Sequence, residues 1–321
     1  MDWGGNRAAG PGRIMTVGVW PCWDITCRVD GISWGEHARI DSQQCLPAGK
    51  SLNICRALAW LGEPSTAAGL WGRDDYDMML ASLAGDCELV DVCLTAAAGH
   101  TRRNITVVDT RNAREMHLRA PNKLATTESL RTVLKELQEL VRPGMICVFA
   151  GSLPQDDLLE EVLSMVRIAR GRGARIVVDT SEKPLERLVE VGDIELIKPN
   201  LAELRQLLGF PVKDDVGDIV SAARSISAAG TVVVSRGPRG AIAVRGGEAL
   251  SGAARENRPA VHTVGCGDWL LAGYLSACDG PLEEALERGL KVAAAKAWAW
   301  NESMTWAEAA AQIEVKIETV V

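Results

Sequence analysis

The feature that most constrains this chain is a repeated alternation. Short runs rich in β-branched and other apolar residues are each followed by a stretch with helical periodicity. Arg13 to Val19 is the first run, and Ser51 to Leu61 is a helix candidate with Leu52, Cys55, Leu58 and Ala59 on one face. Further strand candidates are Met145 to Ala150, Arg175 to Asp179, Leu196 to Lys198 and Thr231 to Ser235. Helical stretches over Asp157 to Arg170, Leu201 to Leu208 and Val216 to Ala229 separate them. Strands that are apolar along their whole length are buried on both faces, and intervening helices supply the crossovers of a parallel sheet. The C-terminal third continues as helices over Gly267 to Cys278 and Leu282 to Trp300. The expected class is α/β, with a mostly parallel central sheet between two helical layers.

Two segments break the rhythm. Ile25 to Pro47 and Leu94 to Ala120 are polar, alternating and punctuated by turns. In the second, Asn104 to Asp109 and Glu115 to Arg119 flank Thr110-Arg111-Asn112-Ala113, the pattern of a β-hairpin. Neither segment holds enough apolar residues to fold alone, so together they predict a small sheet projecting from the body as a lid. Residues 1–13 are expected to form an extension, and 14–321 one domain carrying lid segments at about 25–47 and 94–120.

Composition narrows the function. The net charge of −7 disfavours nucleic-acid binding, which needs a cationic face, although one basic pocket for a small phosphate is compatible with it. No apolar run approaches the ~20 residues needed to cross a bilayer. Met1 to Gly12 is glycine-rich and lacks the apolar centre of a secretory signal. The nine cysteines form no Cys-x-x-Cys pair and mostly sit in apolar patterns, such as Ile146-Cys147-Val148. They are expected to be buried and reduced, and the protein cytoplasmic.

The chemistry-bearing segment is Thr263-Val264-Gly265-Cys266-Gly267-Asp268, which opens into a helix. Two glycines at a helix start let backbone N–H groups approach a ligand, and the helix dipole adds positive potential there. Asp268 beside such an anion hole is placed to accept a proton from an attacking hydroxyl. The other reading of the same residues is a glycine-rich turn whose Asp caps the helix.

This segment is similar to the Thr-Val-Gly-Ala-Gly-Asp-Ser signature of the ribokinase-like carbohydrate kinases, in the phosphofructokinase-B branch; it differs at Cys266 and Trp269. Other segments resemble that family in the same order along the chain, over about residues 14 to 305. Trp20-Pro21-Cys22-Trp23-Asp24 resembles its Asn-Pro-x-x-Asp, and Pro47 to Asn53 its Gly-Gly-Lys-Gly-x-Asn. Thr101-Arg102-Arg103-Asn104 resembles Thr-Arg-x-Asn, and Ala150 to Pro154 resembles Ser-Gly-Ser-Leu-Pro. Lys198-Pro199-Asn200-Leu201-Ala202-Glu203 resembles Lys-Pro-Asn-x-x-Glu, a spacing that an ordinary capping box also wants. Ser235 to Gly240 resembles Ser-x-Gly-x-x-Gly, which a simple turn also explains. Gly49-Lys50-Ser51 is no P-loop, because Gln44 stands where that motif needs glycine.

The resemblance implies a three-layer α/β/α ribokinase-like fold with a β-sheet lid and an ATP- and Mg²⁺-dependent sugar kinase, paired as a homodimer through the lid. By resemblance, Asp268 is the base, and the N–H groups of Gly265, Cys266 and Gly267 stabilise the transferring phosphoryl group. It implies that Asp24, Gly49, Lys50, Asn53, Arg102, Asn104 and Ser152 bind the acceptor, Arg102, Lys50 and Asn104 near its phosphate and Asp24 and Asn53 on its hydroxyls. Lys198, Asn200, Glu203, Ser235, Gly237, Gly240 and Asn301 would bind the nucleotide, with Glu203 near the metal. An acceptor of fructose 1-phosphate, fructose 6-phosphate or tagatose 6-phosphate type is implied. A kinase for an unphosphorylated sugar or nucleoside, or a weakened regulatory binder of sugar phosphates, would be the alternatives. The departures are Trp20, Trp23, Ser51, Trp269, Lys296, Trp298 and Trp300. An indole at such positions either narrows a pocket or packs in the core.

Overall fold

The apolar runs assemble as their patterning requires. Strands β1 (Ile14–Gly18), β4 (Ser65–Gly72), β5 (Val90–Ala97), β8 (Ile146–Ala150), β9 (Arg175–Asp179), β10 (Ile194–Ile197) and β11 (Ala229–Ser235) pair in parallel. Three antiparallel strands extend that sheet: β12 (Ala241–Arg245), β13 (Glu248–Ala254) and β14 (Val315–Thr319). The spatial order is β14-β13-β12-β11-β10-β9-β8-β1-β4-β5, so the chain leaves β1 first to one side and later to the other. That reversal beside β1 opens a crevice at the C-terminal strand ends, where α/β sheets hold ligands. The computed structural model describes residues 13–84, 88–112, 114–256, 258–261 and 263–320. The extension expected before Arg13, and Ala113 of the expected hairpin turn, lie outside the described residues.

Alternation within the strands divides the core into two faces. Cys147 and Phe149 of β8 join the first, with Val178, Ile197 and Val234. It is covered by α3 (Thr127–Leu140), α4 (Leu159–Gly171), α5 (Glu182–Val191), α6 (Leu201–Leu208) and α7 (Val216–Arg224). Ile146, Val148 and Ala150 face the other way, under α1 (Lys50–Trp60), α8 (Cys266–Ser276), α9 (Leu282–Ala297) and α10 (Trp306–Gln312). Helix α8 is buried almost all round, from Asp268 to Leu275. At about 2 kcal/mol for each large side chain, Leu270, Leu271, Tyr274 and Leu275 fix it to the sheet. It also packs backbone to backbone on α9: a Cβ on Gly273 would meet Arg288 O at 2.8 Å, and one on Gly289 would meet Leu270 O at 2.8 Å.

A second sheet, ordered β3-β2-β6-β7, joins β2 (Cys22–Val29), β3 (Ser42–Ala48), β6 (Arg103–Asp109) and β7 (Arg114–Leu118). This is the small sheet expected of the lid, with shifted limits. It begins at Cys22, and Leu94 to Ala97 belong to the central sheet as the end of β5. Strand β6 is sandwiched between β2 and β7, which leaves β3 and β7 at the margins. Helix α2 (Tyr76–Leu83) covers a small cluster beneath, including Trp23, Leu52, Trp71 and Leu94.

Several expected bounds also move. The helix expected over Leu282 to Trp300 stops at Ala297; Ala299 takes φ 58°, and a 3₁₀ turn spans Trp300–Glu302. The helix expected to reach Ala229 stops at Arg224, and Ala229 starts β11. The C-terminal third is less helical than its periodicity suggested, because β12, β13 and β14 lie within or beside it.

Candidate active site

Gly265 begins α8 with φ 83°, a conformation that carries no steric cost without a Cβ. The N-cap therefore contributes no side chain, and its carbonyl accepts from the Asp268 N–H at 3.0 Å. Asp268 lies one turn in, 5% exposed, and its Oδ2 accepts from Asn53 Nδ2 at 2.7 Å. Asn53 comes from the first turn of α1, whose N-cap is Gly49; the Asn53 N–H donates to Gly49 O at 2.9 Å.

Charge converges on the same point. Lys50 Nζ lies 2.8 Å from Asp179 Oδ1, and Lys198 Nζ lies 3.3 Å from Asp179 Oδ2. Asp179 is fully buried at the end of β9, and Lys198 is buried just past β10. A methyl on Gly267 would fall 3.3 Å from Lys198 Nζ, so that ammonium stands at the α8 N-terminus. Burial drives the Asp268 carboxyl up to about 6; Asp179 adds to the rise, while Lys50, the Asn53 hydrogen bond and Lys198 oppose it. Asp179 goes the other way: burial would raise its carboxyl, but Lys198 and Lys50 outweigh it and hold it low. Lys50 stays protonated despite burial, under the combined pull of Asp179, Asp268 and Glu203.

The residues expected to bind the acceptor come from α1, from the small sheet and from the loop after β8. Asp24 on β2 is the parallel neighbour of Asn104 on β6, so the two share a face. Burial raises the Asp24 carboxyl against the opposing influence of His117, Arg119 and Arg56, which places those three side chains around it. Arg102 is half-buried and already engaged: its N–H groups donate to Pro21 O, Ala120 O and Trp20 O at 3.2, 3.1 and 3.3 Å, and it lies 5.7 Å over the Trp20 ring. Three of its five donors thus tie the small sheet to the loop after β1. Ser152 is exposed after β8, next to Gly151, where a methyl would sit 3.7 Å from Lys50 Cβ.

Of the residues expected to bind the nucleotide, all but Asn301 lie at or just after the ends of β10 and β11. Asn200 Oδ1 accepts from the N–H groups of Ala202 and Glu203, and Glu203 Oε2 accepts from the Asn200 N–H at 2.7 Å. The capping box anticipated as the plainer reading is therefore formed. Ser235 bridges to Asn200, and its N–H donates to Pro199 O at 3.0 Å. Gly237 and Gly240 bound a 3₁₀ turn whose Arg236 and Arg239 both clasp Asp214. Asn301 lies in the 3₁₀ turn after α9, its Oδ1 buried without a hydrogen-bond partner. Lys296 sits 5.6 Å over the Trp269 ring.

Most indoles prove to be packing. Trp23 is 2% exposed, stacks edgewise on Trp71 at 5.4 Å and donates to buried Asp75 at 2.8 Å. Trp269 is 6% exposed against Trp60. Trp298 and Trp300 are half-buried, with Arg258 lying over both rings.

A glycine-opened helix with a buried acid and two lysines at its mouth, beneath a small sheet, is a fold and a site together, and comparison with known proteins agrees with it. Across residues 14–298 the chain matches the pfkB family of carbohydrate kinases. The chain belongs to that family. It is 33% identical over 268 residues to a 1-phosphofructokinase of Rhodobacter capsulatus, covering 83% of each chain. It is 30% identical over 235 residues to the ATP-dependent 6-phosphofructokinase isozyme 2 of Escherichia coli, covering 72% of this chain and 75% of that one. The solved structure of Escherichia coli phosphofructokinase-2 in complex with fructose-6-phosphate superposes with a TM-score of 0.81 at 26% identity, over 91% of this chain and 99% of the other.

Sequence reading did not single out three residues that the fold brings beside the expected ones: Asp179, Arg56 and Arg119. Asp179 appeared only as the last residue of a strand, although an acid ending a buried parallel strand is itself a signal for the crevice. Arg56 and Arg119 had none, since only the folded chain brings α1 and the end of β7 to Asp24. Among the described residues, no three His, Cys, Asp or Glu side chains group closely enough to hold a metal. The donor set fits an ion that takes one or two carboxylates and completes its shell from phosphate and water, as Mg²⁺ does. No described helix is long and apolar enough to cross a membrane.

Proposed function

We propose that this carbohydrate kinase transfers the γ-phosphoryl group of ATP to a hydroxyl of a phosphosugar of the fructose 1-phosphate, fructose 6-phosphate or tagatose 6-phosphate type, with Asp268 as the base. The observation that carries the proposal is Asp268 itself, buried one turn into a helix whose N-terminus is left open by Gly265. With its carboxyl raised to about 6 it is ionised at neutral pH yet a better proton acceptor than an ordinary Asp. Asn53 holds the carboxylate in one orientation. The N–H groups of Gly265, Cys266 and Gly267 provide preorganised donors where charge develops, worth on the order of 3 kcal/mol each in comparable sites. Lys50 and Lys198 add fixed positive charge.

Asp24 and Asn53 are placed to order the sugar hydroxyls, and Lys50, Asn104 and Ser152 line the same crevice. The two guanidinium N–H groups that Arg102 does not spend on carbonyls remain for a phosphate, with Arg119 alongside. Asn200, Glu203, Ser235, Gly237, Gly240 and Asn301 form the nucleotide side. Mg²⁺ near Glu203 would supply neutralisation of the phosphate oxygens. The small sheet is placed to exclude water, which suppresses loss of the phosphoryl group to hydrolysis.

The lid is also the proposed dimer surface. Ile32, Trp34, Ile40, Met116 and Leu118 are exposed on or beside it, and β3 presents a free edge. A relative, Escherichia coli phosphofructokinase-2, has been solved in a tetrameric inhibited form.

The test is a coupled ADP-release assay with Mg·ATP against sugars, sugar phosphates and nucleosides, with Asp268→Asn alongside. Turnover on a ketohexose phosphate, lost in the variant, is expected. Turnover on unphosphorylated compounds alone would remove the phosphate-binding role given to Arg102. ATP binding with no transfer to any acceptor would replace the kinase by a regulatory binder.

A further inference from the structure

Asp179 is a fully buried carboxylate with an ammonium on each oxygen, and the two lysines come from opposite halves of the site. Lys50 belongs to the first turn of α1, on the acceptor side, and lies 2.8 Å from Oδ1. Lys198 follows β10 on the nucleotide side, two residues before Asn200, and lies 3.3 Å from Oδ2. Lys50 also donates to the Asp179 backbone carbonyl at 3.4 Å. The Lys50 side chain is 33% exposed, whereas that of Lys198 is 5% exposed and faces the α8 N-terminus. The carboxylate thus sits behind both lysines, on the protein side.

A lysine is a point charge on a flexible stem that holds many rotamers. It is a preorganised electrostatic element only if something holds it before the ligand arrives. Building on the kinase reading above, we propose that Asp179 is a shared positioning residue: one carboxylate sets both Lys50 and Lys198, so that the acceptor and nucleotide half-sites are tied through it. Displacement of one lysine changes the load on Asp179 and therefore the position of the other. The two half-sites are then coupled with no moving element, through a single side chain at the end of β9.

The coupling has a consequence that separate lysines would lack. Lys50→Met removes a group that the kinase reading assigns to the acceptor. Under shared positioning, it nevertheless weakens binding of Mg·ATP measured by calorimetry with no acceptor present, by about threefold or more. Asp179→Asn keeps the shape and removes the charge. It raises KM for both substrates together and moves the acid limb of the pH profile of kcat/KM to lower pH. The groups facing Asp268 are Lys50 from α1, Asp179 from β9, Lys198 beside β10 and Cys266 on its own helix. Loss of the Asp179 charge and release of two ammonium groups both favour the ionised Asp268.

A purely structural role for Asp179 would lower stability and the active fraction without shifting that limb. Should Asp179→Asn fail to fold, the Lys50→Met calorimetry still decides. Unchanged ATP binding in Lys50→Met overturns the proposal, as does an Asp179→Asn enzyme with only one KM altered. So does an Asp179→Asn defect restored by raised Mg²⁺, which would make Asp179 a metal-anchoring group instead. Wild-type ATP binding is the control: its absence would count against the kinase reading rather than against the coupling.

Discussion

Helices α6 and α8 both begin at the C-terminal edge of the sheet, and both carry an acid at the third helical position, yet they finish their N-termini in opposite ways. In α6 the N-cap is Asn200, and Glu203 reaches back to its N–H at 2.7 Å, so the end is closed by its own side chains. In α8 the N-cap is Gly265, which has no side chain to offer, and Asp268 turns to Asn53 at 2.7 Å instead. Glu203 is half-buried with its bonds made within the helix; Asp268 is 5% exposed and raised to about 6. The same spacing of cap and acid therefore yields a self-satisfied helix start in one place and, in the other, a helix start without a side-chain cap beside a buried acid raised by burial. What separates them is the cap residue and the burial of the acid.

The strongest way to break the comparison is to remove the tuned acid. Asp268→Asn keeps the volume and an oxygen for Asn53, and should lower kcat by about 10³-fold or more, the range that positioned proton transfer supplies. The same change should stabilise the fold at high pH. The folded carboxyl at about 6 lies above its unfolded value of 3.8, so its stabilising contribution is full below 3.8 and is lost as pH rises through 6. At pH 8 the ionised wild-type group therefore costs on the order of 3 kcal/mol that the variant lacks. Thermal melts should show Asp268→Asn above wild type at pH 8, with the gap closing toward pH 4. A variant that melts lower at pH 8 would mean that Asp268 is an ordinary structural cap.

A second break converts the open end toward the closed one. A Cβ on Gly265 would sit 3.6 Å from Asn53 Nδ2 and 3.9 Å from Asp268 Oδ2, so there is room for a side chain. Asparagine also tolerates the left-handed conformation found there. Gly265→Asn should leave stability within about 1 kcal/mol of wild type while filling the opening. The expected loss in kcat is on the order of 100-fold, comparable to removal of one oxyanion donor. Intact turnover would show that the phosphoryl group is stabilised elsewhere.

The pH profile sharpens the comparison with a smaller effect. In wild type, kcat/KM for the acceptor should fall tenfold per unit below about pH 6, as Asp268 takes up its proton. A flat profile down to pH 5 would remove it as the base.

The contrast also marks what could be read in advance. The strands β8, β9 and β11 were legible because burial on both faces leaves an unbroken apolar run, as in Ile146-Cys147-Val148-Phe149-Ala150. The segment around Asp268 was legible through its resemblance to a family signature, since glycines at a helix start alone also fit a plain capping turn. Amphipathic α3 and the short strands β12, β13 and β14 passed unnoticed. The one-sided pattern of β14, Val315-Lys316-Ile317-Glu318-Thr319, gains meaning only from a neighbour. The end of α9 was overrun because Ala297-Trp298-Ala299-Trp300 keeps an apolar character while Ala299 turns to φ 58°. Asp179 escaped for the same kind of reason: its significance lies in Lys50 and Lys198, which are 129 and 19 positions away in the chain.

The smallest effect separates the two duties that Glu203 would carry. Closing the capping box needs only an acceptor oxygen, and glutamine supplies one. Holding charge near the phosphates needs the carboxylate. Glu203→Gln should therefore keep the α6 N-terminus and the melting temperature, and raise KM for Mg·ATP several-fold, with part of the loss recovered at higher Mg²⁺. Glu203→Ala should show the same nucleotide defect together with a loss of about 1 kcal/mol, because the Asn200 N–H loses its partner. If the two variants bind nucleotide as wild type does and differ only in stability, Glu203 is a cap and nothing more. The open helix end at Gly265 would then stand alone as the phosphate-handling terminus of the fold.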